Sequence, residues 1–449
     1  MRANYDKLHI FLIHRFRGSI TIKKQNRLTL GEKMAAIRKA IRKTQVYMAA
    51  TMGYSGTLIA GYENNRNPVS SNVLNAFRGV AGVEGIPLTD DEVFAATKEM
   101  IDWNDSITLG DINQVNELHK KFERYVRWAF DLDLENLFDI FRIKYLCKIG
   151  KKEEAEKLAD SLEERVDDFT NMHLYWYYRY LGFLKHLDWL YKPALIMYIK
   201  AETIGKQLHL NDIVHYYNIG SCLINCDYLY LAIDYLEKVV VTEINLANIR
   251  YSLSIQKMLA ICYGKLGKID KALKLLKDCL KYLLSDKKDD KLNMCGVYLY
   301  TGRVYQDAGN YEKALENFDM STRFCNEKDE VFLTYLCYKA TLLRDCNRND
   351  EVRKCLDKGL PLVTKSTLWY DWLHAIKHSL LLDEKPSLDY IIHTSVKNLN
   401  NYGKHTMVIN CYKWLSIYFE RERKYKKALF YNKKASDIYK RLMEGDMSL

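Results

Sequence analysis

From residue 28 onward, apolar positions recur at helical spacing along most of the chain. In "LTLGEKMAAIRKAIRK", Leu30, Met34, Ile37 and Ile41 fall on one face, with Lys33, Arg38, Lys39 and Arg42 on the other. Thr44 is placed to cap a short second helix, "TQVYMAATMG", which Gly53 closes. Ser55 opens a third, "GTLIAGYEN", and "SSNVLNAFRGVAG" reads as a fourth. Only 5 prolines and 21 glycines interrupt 449 residues, so long helices are expected throughout and the fold class is all-α.

Beyond about residue 135 the pattern repeats. In "YLYTGRVYQDAGNYEKALENF", Gly302 lets the first helix approach its partner and Tyr305 fills the gap between them. Gly309 ends the first helix, Ala314 permits the crossing, and Phe318 closes the unit. "LAICYGKLGKIDKALKLL" puts Ala260, Tyr263, Gly267 and Ala272 in the same places. The crossing position recurs at Ala155, Ala194, Ala232, Ala272, Ala314, Val352, Leu388 and Ala428, at intervals of 36 to 42 residues. This is the tetratricopeptide (TPR) pattern, and it predicts a right-handed TPR superhelix of about eight helix pairs over residues 135–449. Residues 88–134, with Thr89 and Asp111 as caps, read as a helical connector. Residues 1–27 are an N-terminal arm to which the pattern assigns no order.

Charge separates the two ends. Residues 1–86 hold 14 Lys/Arg and 4 Asp/Glu, whereas the remainder is nearly balanced. A basic excess confined to one domain is the footprint of a polyanion-binding unit, although a solvated basic face reads the same way from charge alone. Over residues 28–87, Gln45, Met48, Ala49, Met52, Gly53, Ser55, Ile59, Glu63 and Pro68 follow the order of the repressor-type (XRE-like) helix-turn-helix, which this stretch resembles. The resemblance implies DNA binding through Lys43, Gln45, Ser55, Thr57, Asn64 and Arg66. Its base-reading positions fall at Gly56, Thr57 and Gly61, and glycine reads no base edge.

The register of the repeats turns a polar set toward the groove of the solenoid: Arg179, Tyr217, Asn218, Lys257, Arg303, Gln306, Thr341, Arg344, Asn410 and Lys413. An asparagine such as Asn218 can clamp a peptide bond through both its donor and its acceptor. The 11 cysteines sit at apolar helical positions without CxxC pairs, which suits reduced, packed thiols. No metal set or cofactor motif is present, nor is any HExxH, GxxxxGK[ST] or GxSxG sequence, so an enzyme is not expected. No apolar run reaches the length of a membrane span.

A helix-turn-helix, a helical connector and a long TPR array together resemble the RRNPP quorum-sensing receptors of Gram-positive bacteria, in the NprR/PlcR-like layout. The resemblance implies a cytoplasmic homodimer with two partners, operator DNA and a short signalling peptide. The peptide, held in the groove by asparagines and basic residues, shifts the placement of the DNA-binding domains. That role carries over to Asn218 and to Lys257, Arg303 and Arg344. The alternative is a TPR protein-interaction module, an inhibitor of a signalling protein, with a degenerate helix-turn-helix.

Overall fold

The computed structural model describes residues 28–243, 249–285, 290–365 and 367–444, and the N-terminal arm lies outside them. Every regular element among the described residues is helical. Contacts divide them into two compact units, residues 28–181 with 204–208, and residues 182–203 with 209–444.

The first unit opens with four short helices: α1 (Leu30–Ala40), α2 (Gln45–Met52), α3 (Gly56–Glu63) and α4 (Ser71–Ala81). Their boundaries follow from local chemistry. The hydroxyls of Thr29, Thr44, Ser55 and Ser70 each accept from a backbone N–H of the first turn. Gly53 ends α2 at φ 76°, the left-handed conformation that glycine adopts without strain. Met34, Ile37, Met48, Ile59 and Phe77 are fully buried between the helices. Gly31 marks the closest approach, since a Cβ there would stand 2.0 Å from the carbonyl oxygen of Tyr62.

Longer helices follow, α5 (Asp90–Leu109), α6 (Ile112–Ala129), α7 (Leu132–Lys148), α8 (Lys152–Glu163) and α9 (Asn171–Leu187). Thr89 and Asp111 cap α5 and α6, as expected. Trp103 anchors this part, fully buried against Phe122 and Phe138 and donating its ring N–H to the carbonyl of Val115 at 3.1 Å.

The basic face of α1 needs correcting. Lys33 is only 3% exposed, and its ammonium donates to Asp131 at 2.8 Å and to the Leu88 carbonyl at 3.4 Å. Arg38 is half-buried against Glu63. The reason is register: Lys33 stands three residues after Leu30 and four before Ile37, on the flank of the apolar stripe, where a long stem reaches inward. Asp131 in turn accepts from the Leu134 N–H at the head of α7.

The second unit is an array of antiparallel helix pairs. It takes the end of α9 and most of α10 (Tyr191–Gln207) and continues with α11 (Ile213–Asn225) on α12 (Leu229–Glu243), then α13 (Ile249–Lys265) on α14 (Ile269–Ser285). Next come α15 (Lys291–Asp307) on α16 (Tyr311–Ser321), and α17 (Glu330–Asp345) on α18 (Asn349–Gly359). α19 (Leu368–Ser379) packs with a broken second helix made of α20 (Lys385–Asp389), a π-helical turn Tyr390–Ser395 and α21 (Val396–Asn401). α22 (His405–Arg421) on α23 (Tyr425–Met443) is the final pair. One apolar core runs through the array from Tyr191 to Ala428.

The crossing positions explain the repeat. Ala194, Ala232, Ala272, Ala314 and Val352 are fully buried where paired helices touch. A Cβ on Gly302 would stand 2.5 Å from the Phe318 ring, so the α15–α16 crossing requires glycine. In the seventh unit the expected position is displaced by one residue. Ser387, not Leu388, is the buried small side chain, held by the His378 ring at 3.0 Å, while Leu388 is half-buried. The π-helical turn that follows accommodates the shifted register by admitting one extra residue.

Candidate functional site

Two sets of side chains were expected to carry function, and the structure treats them differently. In the first unit, Glu63 is buried at the end of α3. Its carboxylate accepts from Arg38 at 2.6 and 2.8 Å and from the Gln45 amide at 2.7 Å. Arg38 also donates to the Lys43 carbonyl at 2.9 Å, so one network ties α1, α2 and α3 together. Lys43 is exposed, with its ammonium 4.2 Å from the centre of the Tyr47 ring. Ser55 caps α3 through the Leu58 N–H, and Asn64 donates to the Ala60 carbonyl at 2.8 Å. Thr57 and Arg66 are exposed.

Of the two glycines at expected base-reading positions, only Gly56 opens onto free space. Gly61 is an internal position. It is buried, and a Cβ there would stand 2.3 Å from the Asn67 amide nitrogen. Ser55 and Thr57 stand at the start of α3, beside a gap at Gly56 that brings backbone to the surface, while exposed Lys43 precedes α2, exposed Arg66 follows α3, and the Gln45 amide is committed to Glu63.

In the second unit a cavity of about 890 Å³, including space open to solvent, lies among the first helices of successive pairs. Of the groove residues expected from the register, Arg303, Thr341 and Asn410 line it. The others do not. Lys257 is buried and donates to Asn293 at 2.6 Å. Gln306 accepts from Arg303 at 3.1 Å. Arg344 donates to the hydroxyl and carbonyl of Ser379 at 3.0 and 3.1 Å. Lys413 is exposed beside Tyr439 on α23. Tyr217 and Asn218 are half-buried on α11. Arg179 belongs to the first unit, buried with its guanidinium 4.6 Å from the centre of the Trp176 ring.

The chemistry of the cavity comes largely from residues that the register did not single out. Asp227, in the left-handed conformation at φ 63°, follows α11. Its carboxylate accepts from the Lys265 ammonium and, at 2.8 Å, from the Thr406 backbone N–H. The Lys404 ammonium donates to the Asn225 side-chain oxygen and stands 4.3 Å from the centre of the Tyr191 ring. These contacts join positions 179 residues apart, so the turn after α11 meets the start of α22. Gly403 is part of the junction, since a Cβ there would stand 3.0 Å from the Cys226 sulfur.

The electrostatics follow from that arrangement. Burial works against charge on Asp227, but the Lys265 ammonium and the Thr406 N–H hold its carboxyl below the usual range. Lys265 is held above its usual range, because the Asp227 carboxylate outweighs burial. Burial pushes Lys404 down to about 8, with Asp227 pulling the other way. His186 is pushed down to about 4 by burial and by Lys404. The Cys222 sulfur lies 3.8 Å from the His186 ring, and burial raises the thiols of Cys222 and Cys226. Among the described residues no three His, Cys, Asp or Glu side chains group as a metal site would require. No described helix is long and apolar enough to cross a membrane.

No family profile matches the chain. The transcriptional activator NprA of Geobacillus stearothermophilus is 21% identical over 416 residues, which span 87% of this chain and 98% of that protein. Among solved structures, NprR in complex with its cognate peptide NprX gives a TM-score of 0.67 at 17% identity, covering 77% of this chain and 99% of that one. A Rap protein complexed with competence and sporulation factor gives 0.65 at 14%, covering 79% and 99%. The apo form of NprR from B. thuringiensis gives 0.58 at 18%, covering 78% and 99%. The chain has the all-helical, TPR-like fold of these proteins, and the resemblance to RRNPP-type receptors read from its sequence is shown.

Proposed function

We propose that this chain, an RRNPP-type receptor by resemblance and by fold, is a peptide-responsive, DNA-binding transcriptional regulator. The observation that carries the reading is the cavity. Concave sites with a few convergent polar groups on apolar walls are the usual form of a ligand site. Here Met258, Ile261, Met407 and Trp372 supply apolar wall, and Arg303, Asn410 and Lys404 supply polar groups. The Asn410 side chain makes no hydrogen bond to any described residue, which leaves its amide to clamp a peptide bond. The relatives bear on the same reading, since NprR was solved with its cognate peptide NprX, a Rap protein with competence and sporulation factor, and NprA is a transcriptional activator.

In the mechanism, peptide binds one arrangement of the helix pairs better than others and shifts the population toward it. The DNA-binding surface is α3 and its flanks, with Lys43 ahead of α2 and Arg66 beyond the end of α3 on phosphates and Thr57, in the first turn of α3, on a base edge. The working form is a cytoplasmic homodimer. Tyr425, Leu429, Phe430 and Met443 are exposed on α23 and give a second copy an apolar face to cover. The test is fluorescence anisotropy with the chain's own upstream DNA and with random DNA across a salt series. Preference for upstream DNA at physiological salt supports the reading. Equal affinity for both, lost at modest salt, refutes its DNA-binding half.

A second reading is favoured by α3 itself. With Gly56 open and Gly61 internal, few side chains remain to read bases. The array would then bind a signalling protein, and the same salt series discriminates.

A further inference from the structure

Resting on the peptide-receptor reading, we propose that the cavity is a carboxylate subsite: Lys404, Arg303 and Asn410 receive an acidic group of the peptide, either its C-terminus or an Asp or Glu side chain. The charges lining the cavity do not balance. Lys265, Arg303 and Lys404 line it with one carboxylate, Asp227, and Asp307, outside the lining, also acts on Lys265. The Asp227 carboxylate is already committed to Lys265 and to the Thr406 N–H. Lys404 donates to a neutral amide oxygen and lies over the Tyr191 ring. Arg303 donates to the neutral Gln306 amide, with its guanidinium 4.6 Å from the centre of the Tyr338 ring. Among the described residues neither cation has a carboxylate at ion-pair distance. Asp345 is near Arg303, but it accepts from Trp414 and is shared with Arg344 and Lys413.

Burial disfavours the charge on Lys404, Arg303 is half-buried, and a cation in such a place without a counter-ion is unfavourable. A ligand carboxylate supplies what is missing and accepts from both cations and from the Asn410 amide. The walls decide which anion fits. Met258, Ile261, Met407 and Trp372 flank the polar groups, so the acid must sit on an apolar body. A singly charged carboxylate on a peptide matches two cations, one amide and these walls. An inorganic phosphate dianion would need more donors and would leave the apolar wall uncovered. Burial keeps Lys404 low in its range, and a bound carboxylate would raise it again.

The probe is a set of three random heptapeptide pools, incubated with the full chain and read by affinity capture and mass spectrometry. One pool has free C-termini and no Asp or Glu, one is amidated with a single Asp, and one is amidated without acid. The first or second pool should be retained at least tenfold over the third, and which of them is retained identifies the source of the carboxylate. Lys404→Met and Arg303→Met, each checked for native circular dichroism, should lower that retention at least tenfold. Lys274→Met, on an exposed lysine outside the cavity, should not. Equal retention of the neutral pool, or unchanged retention in both cavity variants, overturns the subsite while the peptide reading stands. Displacement by inorganic phosphate but not by acetate assigns the cavity to phosphate and also overturns it. Retention of no pool overturns the subsite and the peptide reading together.

Discussion

The buried polar groups of the first four helices and those of the cavity are built on opposite rules. Around Glu63 every charge has its partner inside the protein: Arg38, Gln45 and the carboxylate satisfy one another, and nothing is left for a ligand. Around Lys404 and Arg303 the partners are neutral amides and ring faces. A closed network fixes how helices sit, whereas an unbalanced one is a surface awaiting a counter-charge. The difference separates residues that hold the fold from residues that meet a ligand, even where the residue types are the same.

Substitutions can break or sharpen that contrast. The largest effect is expected from Glu63→Leu, which leaves Arg38 and Gln45 without their acceptor and should cost about 3 kcal/mol, read as a lowered urea midpoint. Next comes one chemical change made twice. Lys33→Met strands the buried Asp131 carboxylate and should cost about 2–3 kcal/mol. Lys404→Met removes a cation that burial already disfavours, so stability should hold or rise by about 1 kcal/mol. Equal losses in both would erase the distinction between the two networks.

Acid should expose a third difference. Burial lowers His119, His186, His374, His378 and His405 from an ordinary value of 6.5, with His186 falling to about 4. Below pH 6.5 the unfolded chain takes up protons that the folded chain refuses, so stability is complete above that pH and falls as pH drops toward 4. His186→Asn should flatten the decline by about 1–2 kcal/mol, compared through urea midpoints at pH 6.5 and 4.5. The smallest effect separates cap from reader. Ser55→Ala should lose about 1 kcal/mol of stability through the α3 cap. Thr57→Ala should leave the melting temperature in place and weaken DNA binding only a few-fold in anisotropy titrations.

What the sequence made legible was local. Thr44, Ser55, Thr89 and Asp111 cap the helices that they were expected to cap, because a cap depends on residues two or three positions away. The crossing residues Ala194 to Val352 were legible because a helix pair repeats one geometric demand. Lys33 was misplaced because a helical wheel does not show that a distant Asp131 waits at its flank. Ser387 was missed because it falls one residue short of the expected repeat position, which only its burial and its contact with His378 reveal. Most cavity side chains were missed for a stronger reason. Asn225, Asp227 and Lys404 lie at helix ends and turns, and only the approach of segments 179 residues apart gives them a shared role.

That approach changes how the array should come apart. A linear stack of helix pairs touches only its neighbours, so it can fray from either end, one unit at a time. Here the turn at Asp227 is fastened to the head of α22, which makes the end pair a support for a much earlier one. Losing the last pair therefore loosens the middle of the array as well, and melting should proceed as one transition instead of a progressive peeling. The same long-range fastening raises contact order, so the array should fold more slowly than an open stack of equal length.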